Sequence, residues 1–183
     1  MRRMILLLPN VTFLEGFLPV ASRAVVYSLL VSRGVREDAQ LYMFFREERK
    51  CLLFEGSKVR HVMPDEQSLG GILKKAAKAV KGYGSSRVHW GVRLIRLNFA
   101  ALLRKVGGRL RIFAHPRGKD LRALVVGSDL SAVIPFFTEY TGAELEELKR
   151  QEYEPVDGGL SKLYPDQTIA VLQLAADRGV KGA

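Results

Sequence analysis

The amino-acid sequence predicts an α/β fold, a mostly parallel sheet with helices on both faces. Two observations carry this. The short runs Met4–Leu8 and Leu110–Ala114 have strand length and almost no polar side chain, as in strands covered on both sides. They alternate with longer segments of helical period, several of them bounded by capping residues. A chain of 183 residues suits one domain, spanning 1–183, with one core.

The elements follow in order. Met4–Leu8 ends at Pro9. Pro19 opens a helix predicted to reach about Ser32, with Gly34 as its stop. Almost every face of it is apolar, so burial on two sides is expected. Gln40–Phe45 and Cys51–Phe54 read as a hairpin about the charged turn Arg46–Lys50, and Val59–Val62 as a further short strand. Asp65 is expected to cap a helix running to about Lys81. At about 100° per residue, Lys74, Lys75, Lys78 and Lys81 share one face of that helix, and Ile72, Leu73, Ala76, Ala77 and Val80 the other. Gly82–Trp90 has no period and reads as a mobile loop. Asn98–Val106 is predicted helical, stopped by Gly107 and Gly108. Leu110–Ala114 and Ala123–Val126 read as buried parallel strands. Thr141 with Glu144 forms a capping-box pattern for a helix to Arg150, and a last helix runs from Pro165 to Arg178, stopped by Gly179.

Charge narrows the partners. The net charge is +10, and it is concentrated: residues 71–122 hold 14 lysines and arginines against one acid, Asp120. Such a field suits a phosphate backbone, and Lys74, Lys75, Lys78, Lys81, Arg87 and Arg93 are the candidate RNA-binding residues. No run is long enough to span a membrane, and the single cysteine, Cys51, excludes an internal disulfide; a cytoplasmic protein is expected. Cys51 falls in a predicted strand and reads as a core residue.

Several chemistries are excluded by pattern. No Gly-x-Gly-x-x-Gly follows a strand, and no phosphate-binding loop ends in Gly-Lys-Ser/Thr. His61, His89 and His115 lack metal-ligand spacing, so no metal is expected. Three loops stand out instead: Ala114–Gly118, Gly127–Ser131 and Gly158–Thr168. In an open α/β sheet, ligands bind beyond the carboxyl ends of the strands, so these loops are a candidate cofactor pocket. Arg23 lies on an apolar helix face among Val20, Val26, Tyr27 and Leu30, where a guanidinium needs an anion or carbonyl partner unless its head reaches water.

These residues resemble the archaeal tRNA pseudouridine-N1-methyltransferase family, of the SPOUT class. The likeness runs through Arg23–Phe45, Phe54–Ala76, Gly91–Phe99, Ile112–Leu121, Leu124–Ser131 and Leu160–Asp177, in the family's order. Gly16, Arg23, Arg96, Phe99, His115, Gly118 and Gly127 match the family pattern. Departures occur at Gly16-Phe17-Leu18-Pro19, where the family has Gly-Arg-x-Asp, and at Gly127-Ser128-Asp129, where it has Gly-Asp-His. Tyr164–Thr168 likewise replaces a stretch with His and Cys, and Ile95–Phe99 a stretch with two arginines.

The resemblance implies a C-terminal trefoil knot, a homodimer, and S-adenosylmethionine held mainly by backbone groups of the three loops. The cofactor residues would be His115, Gly118, Gly127, Ser128, Leu160, Ser161, Leu163 and Thr168. Arg23 and Arg96 would place the RNA, and Asp129 would play a polar or basic role at the reacting nitrogen. The reaction implied is N1-methylation of the T-loop pseudouridine in tRNA. Two other readings stay open: a catalytically inactive dimeric RNA-binding relative, and a metabolic enzyme acting on a small anionic substrate.

Overall fold

The computed structural model describes residues 1–32, 34–83 and 85–179; Gly84, within the predicted loop 82–90, lies outside them. The chain begins with strand β1 (Arg2–Leu8), helix α1 (Val11–Gly16) and helix α2 (Leu18–Leu29). A two-residue pair, β2 (Leu30–Val31) with β3 (Gly34–Val35), comes next, then the hairpin β4 (Ala39–Phe45) and β5 (Lys50–Glu55). Helix α3 (Glu66–Val80) precedes β6 (Arg87–His89) and β7 (Val92–Arg96). Then come α4 (Phe99–Val106), β8 (Leu110–Lys119), β9 (Leu130–Pro135), α5 (Gly142–Arg150), β10 (Glu154–Val156) and α6 (Pro165–Arg178).

The main sheet has the order β10-β8-β9-β1-β4-β5-β7-β6. The first five strands are mutually parallel, and the last three continue antiparallel. β1 is central, which explains its unbroken apolar run: Met4, Leu6 and Leu8 pack on one face, Ile5 and Leu7 on the other. The first face carries Leu14 of α1, Val25 of α2, Leu73 of α3 and Leu172 of α6. The second carries Leu102 and Val106 of α4 and Leu148 of α5. The result is a three-layer sandwich, as an α/β pattern requires.

Helix ends follow their capping chemistry. The Asp65 carboxylate accepts from the Ser68 amide at 2.7 Å, and the Asn98 side chain accepts from Ala101 at 2.8 Å. Thr141 and Glu144 form the reciprocal box. Lys74, Lys75 and Lys78 are exposed on α3 while Leu73, Ala76, Ala77 and Val80 are buried, as the period required. Among the described residues, no helix is long and apolar enough to cross a membrane.

Four expectations need correction. Helix α2 ends at Leu29, not Ser32, because the backbone turns into β2, and Gly34 sits in that small hairpin. Residues 59–62 form no strand. The segment 82–90, read as a mobile loop, contains β6, which extends the sheet edge through β7. The largest change concerns Ala123–Val126. It is not a strand: Val125 is 63% exposed, and the strand is Leu130–Pro135, which fits between β1 and β8. Both runs are short and apolar, and only the tertiary pairing distinguishes them.

Candidate active site

The parallel strands end together at one edge of the sheet. β1 finishes at Leu8 opposite Phe45, and β9 finishes at Pro135 opposite Leu7. β8 leaves its ladder with β9 after Phe113, which pairs Val133. Three segments extend beyond this edge: Ala114–Arg117, the part of β8 past its ladder with β9; Pro135–Tyr140, from the end of β9; and Leu160–Thr168, after β10. Together they wall a cavity of about 770 Å³, large enough for a cofactor. The position is the one an open α/β sheet reserves for ligands.

Each segment is held in place from outside. Arg46, at the end of β4, donates through Nε and Nη2 to Glu144 at 2.7 and 2.9 Å. The same guanidinium donates to the Thr138 hydroxyl at 2.8 Å and to the Glu139 carbonyl at 2.6 Å. It therefore ties the Pro135–Tyr140 segment to α5. The Tyr140 hydroxyl donates to the Val133 carbonyl, and burial raises its ionisation well above the ordinary phenol value. Gly159, with φ of +95°, turns the chain after β10. The Asp157 carboxylate then accepts from the Ser161 amide at 2.8 Å, and this hydrogen bond is the main reason that its pKa is lowered.

The structure brings together part of the set expected from sequence. His115, Leu160, Ser161, Leu163 and Thr168 all line the cavity. His115 Nδ1 accepts from the Arg117 amide at 3.2 Å, and its ring lies 6.4 Å from that of Tyr140. Gly118 is not among the lining residues. It lets β8 pass β10 closely, since a Cβ there would sit 2.4 Å from the backbone of Val156.

Gly127, Ser128 and Asp129 are not at this site. They precede β9 instead of following it, so they lie at the opposite edge of the sheet beside the chain start. The Ser128 carbonyl accepts from the Met1 ammonium at 2.8 Å, and Asp129 accepts from Arg3 at 2.9 Å and from the Arg109 amide at 3.1 Å. The Arg3 hydrogen bond chiefly lowers the Asp129 pKa. Asp129 is thus a structural ion-pair partner, far from any group at the carboxyl edge.

The basic residues divide. Arg23 finds its anion within the chain: Nε donates to Asp166 at 2.8 Å, on a carboxylate that is 2% exposed. Asp166 lies between Pro165 and Thr168, both on the cavity wall, so the ion pair braces that wall. Arg96 is at the carboxyl-edge end of β7, opposite Lys50, but four strands from β9, about 19 Å at ~4.8 Å per strand. Lys81 pairs with Glu15 at 2.7 Å. Arg93 lies 3.3 Å from Glu55 and stands opposite the exposed Arg87.

Sequence reasoning missed Pro135, Phe137, Thr138, Glu139 and Tyr140, because Ala123–Val126 reads as the strand and leaves these residues away from any strand end. The available signal was the run Leu130–Ile134 closed by Pro135. Phe137 also adopts φ of +52°, which costs an L-residue roughly 1–2 kcal/mol. Among the described residues, no group of three His, Cys, Asp or Glu could hold a metal ion.

Residues 8–179 match a family described as "Putative SAM-dependent RNA methyltransferase". The chain is 30% identical to the tRNA (pseudouridine(54)-N(1))-methyltransferase of Methanococcoides burtonii, over 91% of this chain and 86% of that protein. It is 28% identical to the same-named protein of Halobacterium salinarum, over 85% and 80%. The fold is similar to that of Archaeoglobus fulgidus Nep1 bound to S-adenosylhomocysteine, with a TM-score of 0.66, 9% identity, and 97% of both chains covered. The match over nearly the whole length, on a sheet whose carboxyl edge carries a cofactor-sized cavity, shows that this chain belongs to the SAM-dependent RNA methyltransferase family that includes the archaeal tRNA (pseudouridine(54)-N(1))-methyltransferases.

Proposed function

We propose that the protein methylates N1 of a T-loop pseudouridine in tRNA, with S-adenosylmethionine as methyl donor. The observation that carries this reading is the cavity at the carboxyl edge of the parallel strands. Its lining fits the cofactor. Ile134, Leu160, Leu163 and Pro165 offer apolar surface for an adenine, while Ser161, Thr168 and Glu139 offer polar groups for a ribose and an amino acid tail. When bound, the cofactor supplies an electrophilic methyl group.

The chain's own part is to orient the nucleobase and to accept its N1 proton. The proton-accepting side chain on the cavity wall is Glu139, because the His115 acceptor nitrogen is already occupied by the Arg117 amide. Asp129 is replaced in this role because it sits at the other edge. Family membership favours this reading over an inactive relative or a metabolic enzyme. It also supports a C-terminal trefoil knot through the Leu160–Thr168 region, a homodimer and a cytoplasmic location. An apolar patch suits the dimer: Val171 and Leu174 on α6 and Tyr27 on α2 are 38–48% exposed.

The test is transfer of labelled methyl from S-adenosylmethionine to tRNA. Transfer to a tRNA carrying the T-loop pseudouridine is expected, and none to the same transcript carrying uridine there. Cofactor binding without transfer to the pseudouridine-bearing tRNA defeats the proposal. The exposed α3 face gives a second check. Replacing Lys74, Lys75 and Lys78 together by Ala is expected to lower the slope of log affinity against log salt by roughly 2–3, through lost counterion release. An unchanged slope removes this face from the RNA contact.

A further inference from the structure

Three aromatic rings stand half-exposed beside the cavity, and they touch in sequence. Phe17, at the start of α2, is 37% exposed; Phe137, on the cavity wall, 38%; and Tyr164, between the wall residues Leu163 and Pro165, 55%. Ring centroids are 4.9 Å apart for Phe17 and Phe137, and 5.3 Å for Phe137 and Tyr164. Behind them lies Phe136, fully buried, at 6.3 Å from Phe17 and 5.2 Å from Phe137. Phe13 supports Phe17 at 4.8 Å. The outer rings are therefore held by a buried aromatic base.

Folding alone does not call for this arrangement. Half-exposed aromatic surface gains little from burial, and a contiguous patch of it marks a contact site. Phe137 also keeps its ring at the cavity mouth at the expense of a left-handed backbone, at a position where glycine would be relaxed. Strain of this kind concentrates at functional sites. The chemistry that such a surface recognises is a flat π-face, and every nucleobase has one. The concentrated positive charge of residues 71–122 favours an RNA-borne base over a free aromatic metabolite.

We infer that Phe137 and Tyr164, backed by Phe17, form the stacking platform that receives the target nucleobase once it leaves its stack and presents it to the methyl donor. The inference rests on the RNA-methyltransferase reading but is tested apart from it. Extruding a base has an unstacking cost that aromatic contact offsets, so the platform should act on affinity for an RNA that carries the base and not on affinity for one that lacks it.

The experiment compares two short stem-loop RNAs in the presence of S-adenosylhomocysteine, one with a pseudouridine in its loop and one abasic at that position. The wild-type protein is expected to bind the intact RNA at least about tenfold more tightly. In the Phe137→Gly/Tyr164→Leu double variant, that preference should collapse through weaker binding of the intact RNA, with affinity for the abasic RNA within about twofold of wild type. Glycine at 137 relaxes the left-handed backbone, which offsets part of the packing lost with the ring, and leucine at 164 keeps apolar bulk; the unchanged affinity for abasic RNA separates folding from stacking. Equal affinity of the wild type for the two RNAs overturns the inference, and so does a preference that survives in the variant. Discrimination of the base without any methyl transfer would preserve the platform and defeat the proposed activity instead.

Discussion

Replacing Arg46 by Ala is expected to destabilise the protein by about 3–4 kcal/mol and to loosen the cofactor cavity. The guanidinium is 18% exposed and its partner Glu144 only 11%. Removing the arginine leaves a largely buried carboxylate without its counter-charge, and breaking such a pair typically costs about 3–5 kcal/mol. It also frees the Thr138 hydroxyl and the Glu139 carbonyl, which fix the segment after β9. For a chain of this size, the melting temperature should fall by roughly 10 °C. Arg46→Lys should recover only part of this, because one ammonium cannot make the two-pronged contact with Glu144 and also reach the loop. Thermal denaturation with cofactor titration checks both effects. A loss of less than about 1 kcal/mol in Arg46→Ala would contradict the bracing role, on the scale of ordinary surface substitutions.

Gly118→Ala is the second large effect. The new methyl group would lie 2.4 Å from the N, Cα and C atoms of Val156, all backbone, so β8 and β10 must separate. Forcing atoms into a packed contact typically costs about 1–3 kcal/mol, and rigid backbone on the other side places this case near the top of that range. β10 is only three residues long and leads directly into the turn before Leu160. The displacement should therefore reach the cavity wall and weaken S-adenosylhomocysteine binding by at least about tenfold, an effect calorimetric titration would read. Gly127→Ala provides the contrast. Nothing lies within 4 Å of its Cβ position, so stability should stay within about 0.5 kcal/mol and cofactor affinity should not change. Equal effects in the two variants would refute the distinction. Both glycines had been assigned to the cofactor by resemblance, and only their surroundings separate them.

What the sequence determined by itself was local or periodic. The Lys face of α3, the caps at Asp65, Asn98 and Thr141, and the stops at Gly107 and Gly179 all follow from spacing and side-chain chemistry within a few residues. The central strand β1 was legible because burial on both faces leaves no room for polar alternation. The strand-end loop pattern located two of the three cavity segments, at His115 and at Leu160–Thr168. Pairing between distant strands decided the rest. Leu124–Val126 and Leu130–Ile134 are similar apolar runs, and the second became β9 because it fits between β1 and β8. That choice moved Gly127 and Asp129 to the far edge of the sheet and brought Phe137, Glu139 and Tyr140 to the cavity. The partners of Arg23 and Arg46 lie 143 and 98 residues away, a separation that no local pattern encodes. The sequence shows that such cations need anions, but only the folded chain determines which ones they meet, because low-dielectric pairing depends on distances set by packing.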